Sequence, residues 1–348
     1  LGWAQSVIYF PAMIAALAVI FSTQVLNLLN LDKTWHLPIA FAAAASLMFL
    51  NFLGGKTGGV IQTVATICKL IPLIAIILFG LFQSDSQPLQ LFPIEAGKDI
   101  SFAGGLGGAL LAAMFAYEGW TNVGSMAGEM KNPQKDLPRA IFLGLAVVMA
   151  VYVLINVAYL MSLPLDRVAG NQTVASEVAA KLFGGLGGKI LTIGILISVY
   201  GAINGFTMAG IRVPYAMAKS DQIPMKNVWT KLNKDSIPVN AGLLLLVLAG
   251  IMMLTGSFDM LTDLLVFVMW FFYTATFLAV IILRKKDPEL ERPYKVPLYP
   301  IIPLIAILGG IYTLVSTLIA QTGLALGGIG LTVIGLLFYT ETHKKFKK

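Results

Sequence analysis

Glu118 and Gly119 stand side by side inside an apolar stretch, in the run Phe115-Ala116-Tyr117-Glu118-Gly119-Trp120-Thr121-Asn122. A carboxyl and a helix-weakening glycine are expensive in hydrocarbon unless they line a cavity or face another helix. The chemistry such a pair supports is recognition, not bond making. A helix broken there exposes backbone carbonyls and amides, the groups with which discontinuous membrane helices hold charged substrates and ions near the bilayer midplane. Tyr117, Trp120 and Thr121 add stacking surface and hydroxyls suited to a small polar ligand. Two placements are open for Glu118: facing a substrate cavity, or satisfied by polar groups of neighbouring helices. Trp120 divides in the same way between ligand stacking and ordinary helix packing.

Lys69 is a second ionisable residue at depth. It lies about ten residues into the stretch that opens near Gly59, which places its α-carbon roughly 15 Å into the bilayer. A lysine near a span end snorkels to the interface, whereas one near the midplane reads as a fixed or titrating cation inside a helix bundle. Pro72, three residues on, frees a backbone carbonyl and allows a bend. Farther along, Ser198 reads as glue between helices, and Asn204, close to Gly201 and Gly205, as a residue near a cavity. Trp270, Phe271, Phe272 and Tyr273 form an aromatic patch that reads as core or lipid packing.

Enzyme chemistry finds little support. His36 and His343 are far apart, Gly188-Lys189 is followed by Ile190 where a phosphate loop needs Ser or Thr, and Cys68 is the only cysteine. No catalytic residue, metal or cofactor is expected.

The elements that must position these residues are membrane spans. Apolar residues make up 57% of the 348-residue chain and charged residues 12%, so a polytopic all-α membrane protein is expected. Ten apolar stretches stand out: 2–29, 36–54, 59–82, 106–128, 139–162, 187–215, 238–255, 261–283, 299–320 and 325–340. The net charge of +7 does not point to nucleic acid, because Lys and Arg collect in alternate loops. Lys131, Lys135 and Arg139, the group from Lys219 to Lys234, the group from Arg284 to Lys295, and the tail Lys344 to Lys348 share one side. The other side holds only a few, such as Lys33, Lys98, Arg167 and Lys181. The positive-inside rule then puts the C-terminus in the cytoplasm of a multi-pass protein of the cell membrane. No soluble domain and no partner subunit are indicated. The chain opens at Leu1 directly in an apolar segment and reads as truncated, not signal-led.

The run from Phe115 to Arg139 and a second, Leu283-Arg284-Lys285-Lys286-Asp287-Pro288-Glu289-Leu290-Glu291-Arg292-Pro293-Tyr294-Lys295-Val296-Pro297, resemble bacterial L-type amino acid transporters. These belong to the amino acid-polyamine-organocation superfamily and include serine/threonine exchanger-like permeases. The resemblance implies one transporter domain over 1–348 with a five-plus-five inverted repeat and two further helices. Residues 1–82 would be the remainder of the first repeat, 106–283 the second, and 299–340 the two C-terminal helices. Matching the motifs makes the first span here the family's third and the Phe115 segment its sixth, so the first two family spans are expected to be absent.

By that resemblance, backbone carbonyls around Phe115 and Glu118 receive the substrate's α-ammonium group and Phe115 gates the pocket. Lys69 takes the place of a sodium ion, and Asn204 is pocket-proximal. Glu118 stands where several animal relatives carry Gly, and Thr121 where they carry Asn. The implied activity is sodium-independent, alternating-access transport of neutral L-amino acids, by exchange. A proton-coupled permease for cationic amino acids or amines, with Glu118 as counter-charge, is the alternative within transport. A non-transporting receptor or subunit of the same fold is the alternative of another class.

Overall fold

A backbone in hydrocarbon has no water to bond, so apolar stretches of about twenty residues must close their hydrogen bonds internally as helices. A computed structural model of the chain describes residues 1–89, 100–121, 123, 130–255, 257–292 and 294–346. The expected continuation of the 106–128 span through Asn122 and residues 124–128 lies outside the described residues. So do Glu129 and Pro293 of the two quoted runs, and the charges Lys98, Lys347 and Lys348.

The helices in chain order are α1 (Gly2–Ala4), a π-helical turn (Gln5–Tyr9), α2 (Phe10–Leu29), α3 (His36–Phe52), α4 (Gly55–Leu81) and α5 (Phe102–Ala116). They continue as α6 (Pro133–Ser162), α7 (Leu165–Val168), α8 (Val174–Gly210), α9 (Arg212–Lys219) and α10 (Lys226–Trp229). The last four are α11 (Val239–Thr255), α12 (Phe258–Lys286), α13 (Ile301–Ala320) and α14 (Thr322–Phe346). Among the described residues seven helical rods are long and apolar enough to cross a membrane, and three shorter apolar helices, Phe102–Ala116, Val239–Leu254 and Thr322–Leu337, accompany them.

Every expected apolar stretch contains a helix, but several boundaries move. α8 begins at Val174, well before residue 187, because the glycine cluster Gly184 to Gly188 is carried through with one kink at Gly184 (φ 71°). α6 begins at Pro133 rather than 139, with Pro133 at the first helical position, where a missing amide costs little, and Pro138 inside the helix. Caps mark other ends. Ser101 Oγ accepts from the Gly104 amide at 3.2 Å to open α5, and Asn30 closes α2 in the left-handed conformation (φ 50°). In the loop beyond, the Thr34 amide hydrogen bond holds the Asp32 carboxyl below its ordinary pKa range.

The helices form two compact units. The first comprises Leu1–Gln90, Leu154–Leu265 and Gly328–Lys348, with Ile8, Met13, Ile14, Leu47, Met48, Ile76, Ile203 and Leu245 fully buried. Its tightest seam joins α4 to α8: a Cβ at Gly201 would overlap that of Ala65, so glycine is what lets the two backbones approach. Gln24 crosses from α2 to the start of α8, donating to the Gln172 carbonyl at 2.9 Å and accepting from Ser176 Oγ at 2.8 Å.

The second unit comprises Leu91–Val153 and Val266–Gly327. Here α5 packs on α13, where Gly107 faces Ser316 and the Tyr312 hydroxyl donates to the Ala103 carbonyl at 2.8 Å. Large apolar side chains remain outside in both units, among them Phe142 at 73%, Leu186 at 82% and Ile319 at 76% exposure. Helices apolar on their outward faces are what a lipid solvent selects.

Candidate functional site

Hydrogen bonding in α5 stops at the residues singled out from sequence. The Tyr117 amide donates to the Ala113 carbonyl at 3.1 Å, and the Glu118 amide bonds instead to the Phe115 carbonyl at 3.0 Å. Gly119 then takes a φ of 108°, a conformation that side-chain-bearing residues rarely adopt. Trp120 and Thr121 open a 3₁₀-type turn. Regular α5 thus ends where the Glu-Gly pair interrupts the apolar run.

Side chains of other helices hold the loosened segment. The Tyr152 hydroxyl of α6 donates to the Ala116 carbonyl at 2.8 Å, and the Tyr152 ring meets Tyr117 edge-on with centroids 5.2 Å apart. From α12, the Tyr273 hydroxyl donates to Glu118 Oε1 at 2.6 Å and lies 3.5 Å from Thr121 Oγ1. Trp120 and Tyr273 are tilted neighbours at 5.8 Å, and Trp270 braces Tyr273 edge-on at 5.9 Å. Of the two placements open to Glu118, the observed one is against a polar group of a neighbouring helix.

Phe115 ends up half-buried, and its carbonyl accepts from the Glu118 amide at 3.0 Å. Near the break, the indole nitrogen of Trp270 and the hydroxyl of Thr274 are buried without a hydrogen-bond partner among the described residues. Such groups are costly in a dry interior.

The remaining two candidates lie in the other unit. Asn204 is fully buried: its Oδ1 accepts from Asn51 Nδ2 at 2.8 Å, and its Nδ2 donates to Gln62 Oε1 at 3.3 Å. The network ties α3, α4 and α8 together. Asn204 therefore presents no exposed surface in this conformation. Lys69 sits on an exposed face of α4 and makes no hydrogen bond or ion pair with the described residues.

Sequence reasoning missed Tyr152 as a tether, read Tyr273 as mere packing, and overlooked Asn51 and Gln62. The signal was present for the last two, since uncharged amides inside apolar stretches seek one another across a bundle. For Tyr273 the cue was the single hydroxyl in an aromatic quartet. Among the described residues no cluster of three or more His, Cys, Asp or Glu could hold a metal ion.

Fold and site define a polytopic helical membrane protein in which an apolar helix ends at a Glu-Gly pair held by tyrosines of its neighbours. Residues 1–339 match the amino acid permease family, and the chain belongs to it. It is 39% identical over 323 residues to the serine/threonine exchanger SteT of Bacillus subtilis (strain 168), an alignment covering 92% of this chain and 73% of that protein. It is 30% identical over 302 residues to the human cystine/glutamate transporter, covering 85% of this chain and 60% of the other. With the human large neutral amino acids transporter small subunit 2 it shares 28% identity over 344 residues, 95% of this chain and 62% of that one.

Proposed function

We propose that the protein exchanges neutral L-amino acids across the cell membrane, without sodium, by alternating access. The observation that carries this reading is the interruption of α5 between Ala116 and Gly119, in a chain of the amino acid permease family. A helix ending at membrane depth presents the partial negative charge of its C-terminal carbonyls, which suits an α-ammonium group. In this reading the carbonyls near Phe115 and Glu118 receive that group, Phe115 covers it, and Tyr117, Trp120 and Thr121 line the side-chain end. Asn204 belongs to the helix scaffold of the first unit. Lys69 supplies a fixed cation in place of a sodium ion, and the C-terminus is cytoplasmic. The neutral substrate class draws support from the serine/threonine exchanger and the large neutral amino acids transporter among the relatives.

The test is exchange in liposomes. Purified protein loaded with internal serine should take up labelled serine, threonine or leucine equally well with sodium or choline outside. Lys69→Ala should slow exchange by about tenfold or more while the variant remains folded, as expected when a fixed cation that a transport cycle requires is removed. Strict sodium dependence would remove Lys69 from this role. Uptake of only lysine, arginine or polyamines would replace the neutral substrate class with the cationic one, and binding without translocation would indicate a receptor.

A further inference from the structure

The geometry points to Tyr273 as a specificity-determining residue: its hydroxyl holds the Glu118 carboxylate against α12 and so keeps that negative charge from serving cationic substrates. This inference rests on the reading of the α5 break as the substrate site.

The two tyrosines that steady the break do chemically different things. Tyr152 donates to a main-chain carbonyl, that of Ala116, and that bond would form whatever side chain occupied the position. Tyr273 donates to a side-chain carboxyl, that of Glu118, so its grip depends on the residue at 118. At 2.6 Å the oxygen–oxygen separation lies in the short range of hydrogen bonds to ionised acceptors.

Tyr273 is itself well fixed. It is 8% exposed, with Trp120 at 5.8 Å and Trp270 at 5.9 Å against its ring. The donor is therefore pre-placed, and little rotamer freedom is lost when the carboxylate bonds to it. Thr121, one turn farther along the unwound segment, lies 3.5 Å from the same phenol oxygen.

The consequence concerns selectivity. A carboxylate at an amino acid site is a natural counter-charge for a lysine or arginine side chain. One already engaged by a fixed phenol has part of its acceptor capacity and its orientation committed elsewhere. A cationic side chain would have to compete with an intact short hydrogen bond, whereas a neutral side chain makes no such demand. The Glu118–Tyr273 pair thus reconciles an acidic residue in the break with a neutral substrate class.

Separating charge from geometry tests this. Tyr273→Phe removes only the donor and keeps the ring between Trp120 and Trp270. Glu118→Gln keeps an acceptor oxygen for Tyr273 and removes the charge. In liposomes loaded with serine, the inhibition constants of external lysine and serine are measured for wild type, both single variants and the double variant, with membrane abundance and thermal unfolding in detergent recorded for each.

Tyr273→Phe is expected to shift the preference toward lysine relative to serine by about tenfold, the effect one hydrogen bond to a charged group carries. In the Glu118→Gln background the same change should leave the ratio where it was. An unchanged ratio in Tyr273→Phe overturns the inference, as does a shift that persists without the Glu118 charge. A Tyr273→Phe protein that fails to fold makes the hydroxyl a structural element and overturns it as well. A wild-type protein that exchanges no neutral amino acid overturns the functional reading on which the inference stands. Normal wild-type exchange with unaltered selectivity in the variant sinks the inference alone.

Discussion

At the scale of residues, the break in α5 depends on one backbone torsion and two phenolic hydroxyls. Gly119 at φ 108° turns the chain out of the helix while leaving Glu118 within reach of Tyr273. Any other residue held there would store about 1–3 kcal/mol of strain, or would relax the turn. Gly119→Ala should therefore weaken apparent substrate affinity by about tenfold, within the roughly 5- to 150-fold that a strain of this size corresponds to in an equilibrium. It should also lower the unfolding temperature. Exchange kinetics and detergent unfolding on the same preparation check this; unchanged KM and unfolding would show that position 119 needs no glycine. The presence of Glu118 and Gly119 in an apolar run was legible in the sequence, because charge and flexibility are properties of residue type. Their partners were not, because Tyr152 and Tyr273 lie in separate helices and reach the break only through packing.

At the scale of elements, the first unit is stitched by amides where helices cross. Asn51 on α3, Gln62 on α4 and Asn204 on α8 form a chain of side-chain hydrogen bonds in a region from which water is excluded. Close packing at Gly201 against Ala65 brings α4 and α8 near enough for that chain to close. Interhelical bonds in membranes contribute about 0.6 kcal/mol on average and up to about 1.7 kcal/mol each. Asn204→Ala loses both its amide partners and should reduce stability by about 1–3 kcal/mol on that scale. As a scaffold substitution it should leave the KM for serine within about threefold, the range expected of a change lacking substrate contact. A large rise in KM at unchanged stability would return Asn204 to the pocket-proximal role expected from the family resemblance. Helix existence followed from apolar runs, yet the start of α8 did not, because glycines that usually end helices are carried through here with one kink at Gly184.

At the scale of the whole molecule, the basic residues set the orientation. Arg284, Lys285, Lys286, Arg292 and Lys295 follow α12, and a second basic group follows α8, so those loops and the C-terminus are expected inside the cell. In a Cys68→Ser background, Asp166→Cys should react with an impermeant maleimide in intact cells, and Ser220→Cys only after permeabilisation. Both native positions are exposed, so the reverse pattern would invert the topology.

The sequence by itself determined that this is a helical membrane protein, which apolar runs contain helices, and where a Glu-Gly pair interrupts one of them. Each of those follows from hydropathy, charge and glycine acting locally against a lipid solvent that tolerates no unpaired backbone. Only the tertiary structure decided what the polar residues do inside the bundle. Glu118 found a phenol on α12, Asn204 found two amides, and Lys69 was left on an exposed face. Those outcomes turn on which helix faces meet, and that is decided by long-range packing rather than by neighbours along the chain.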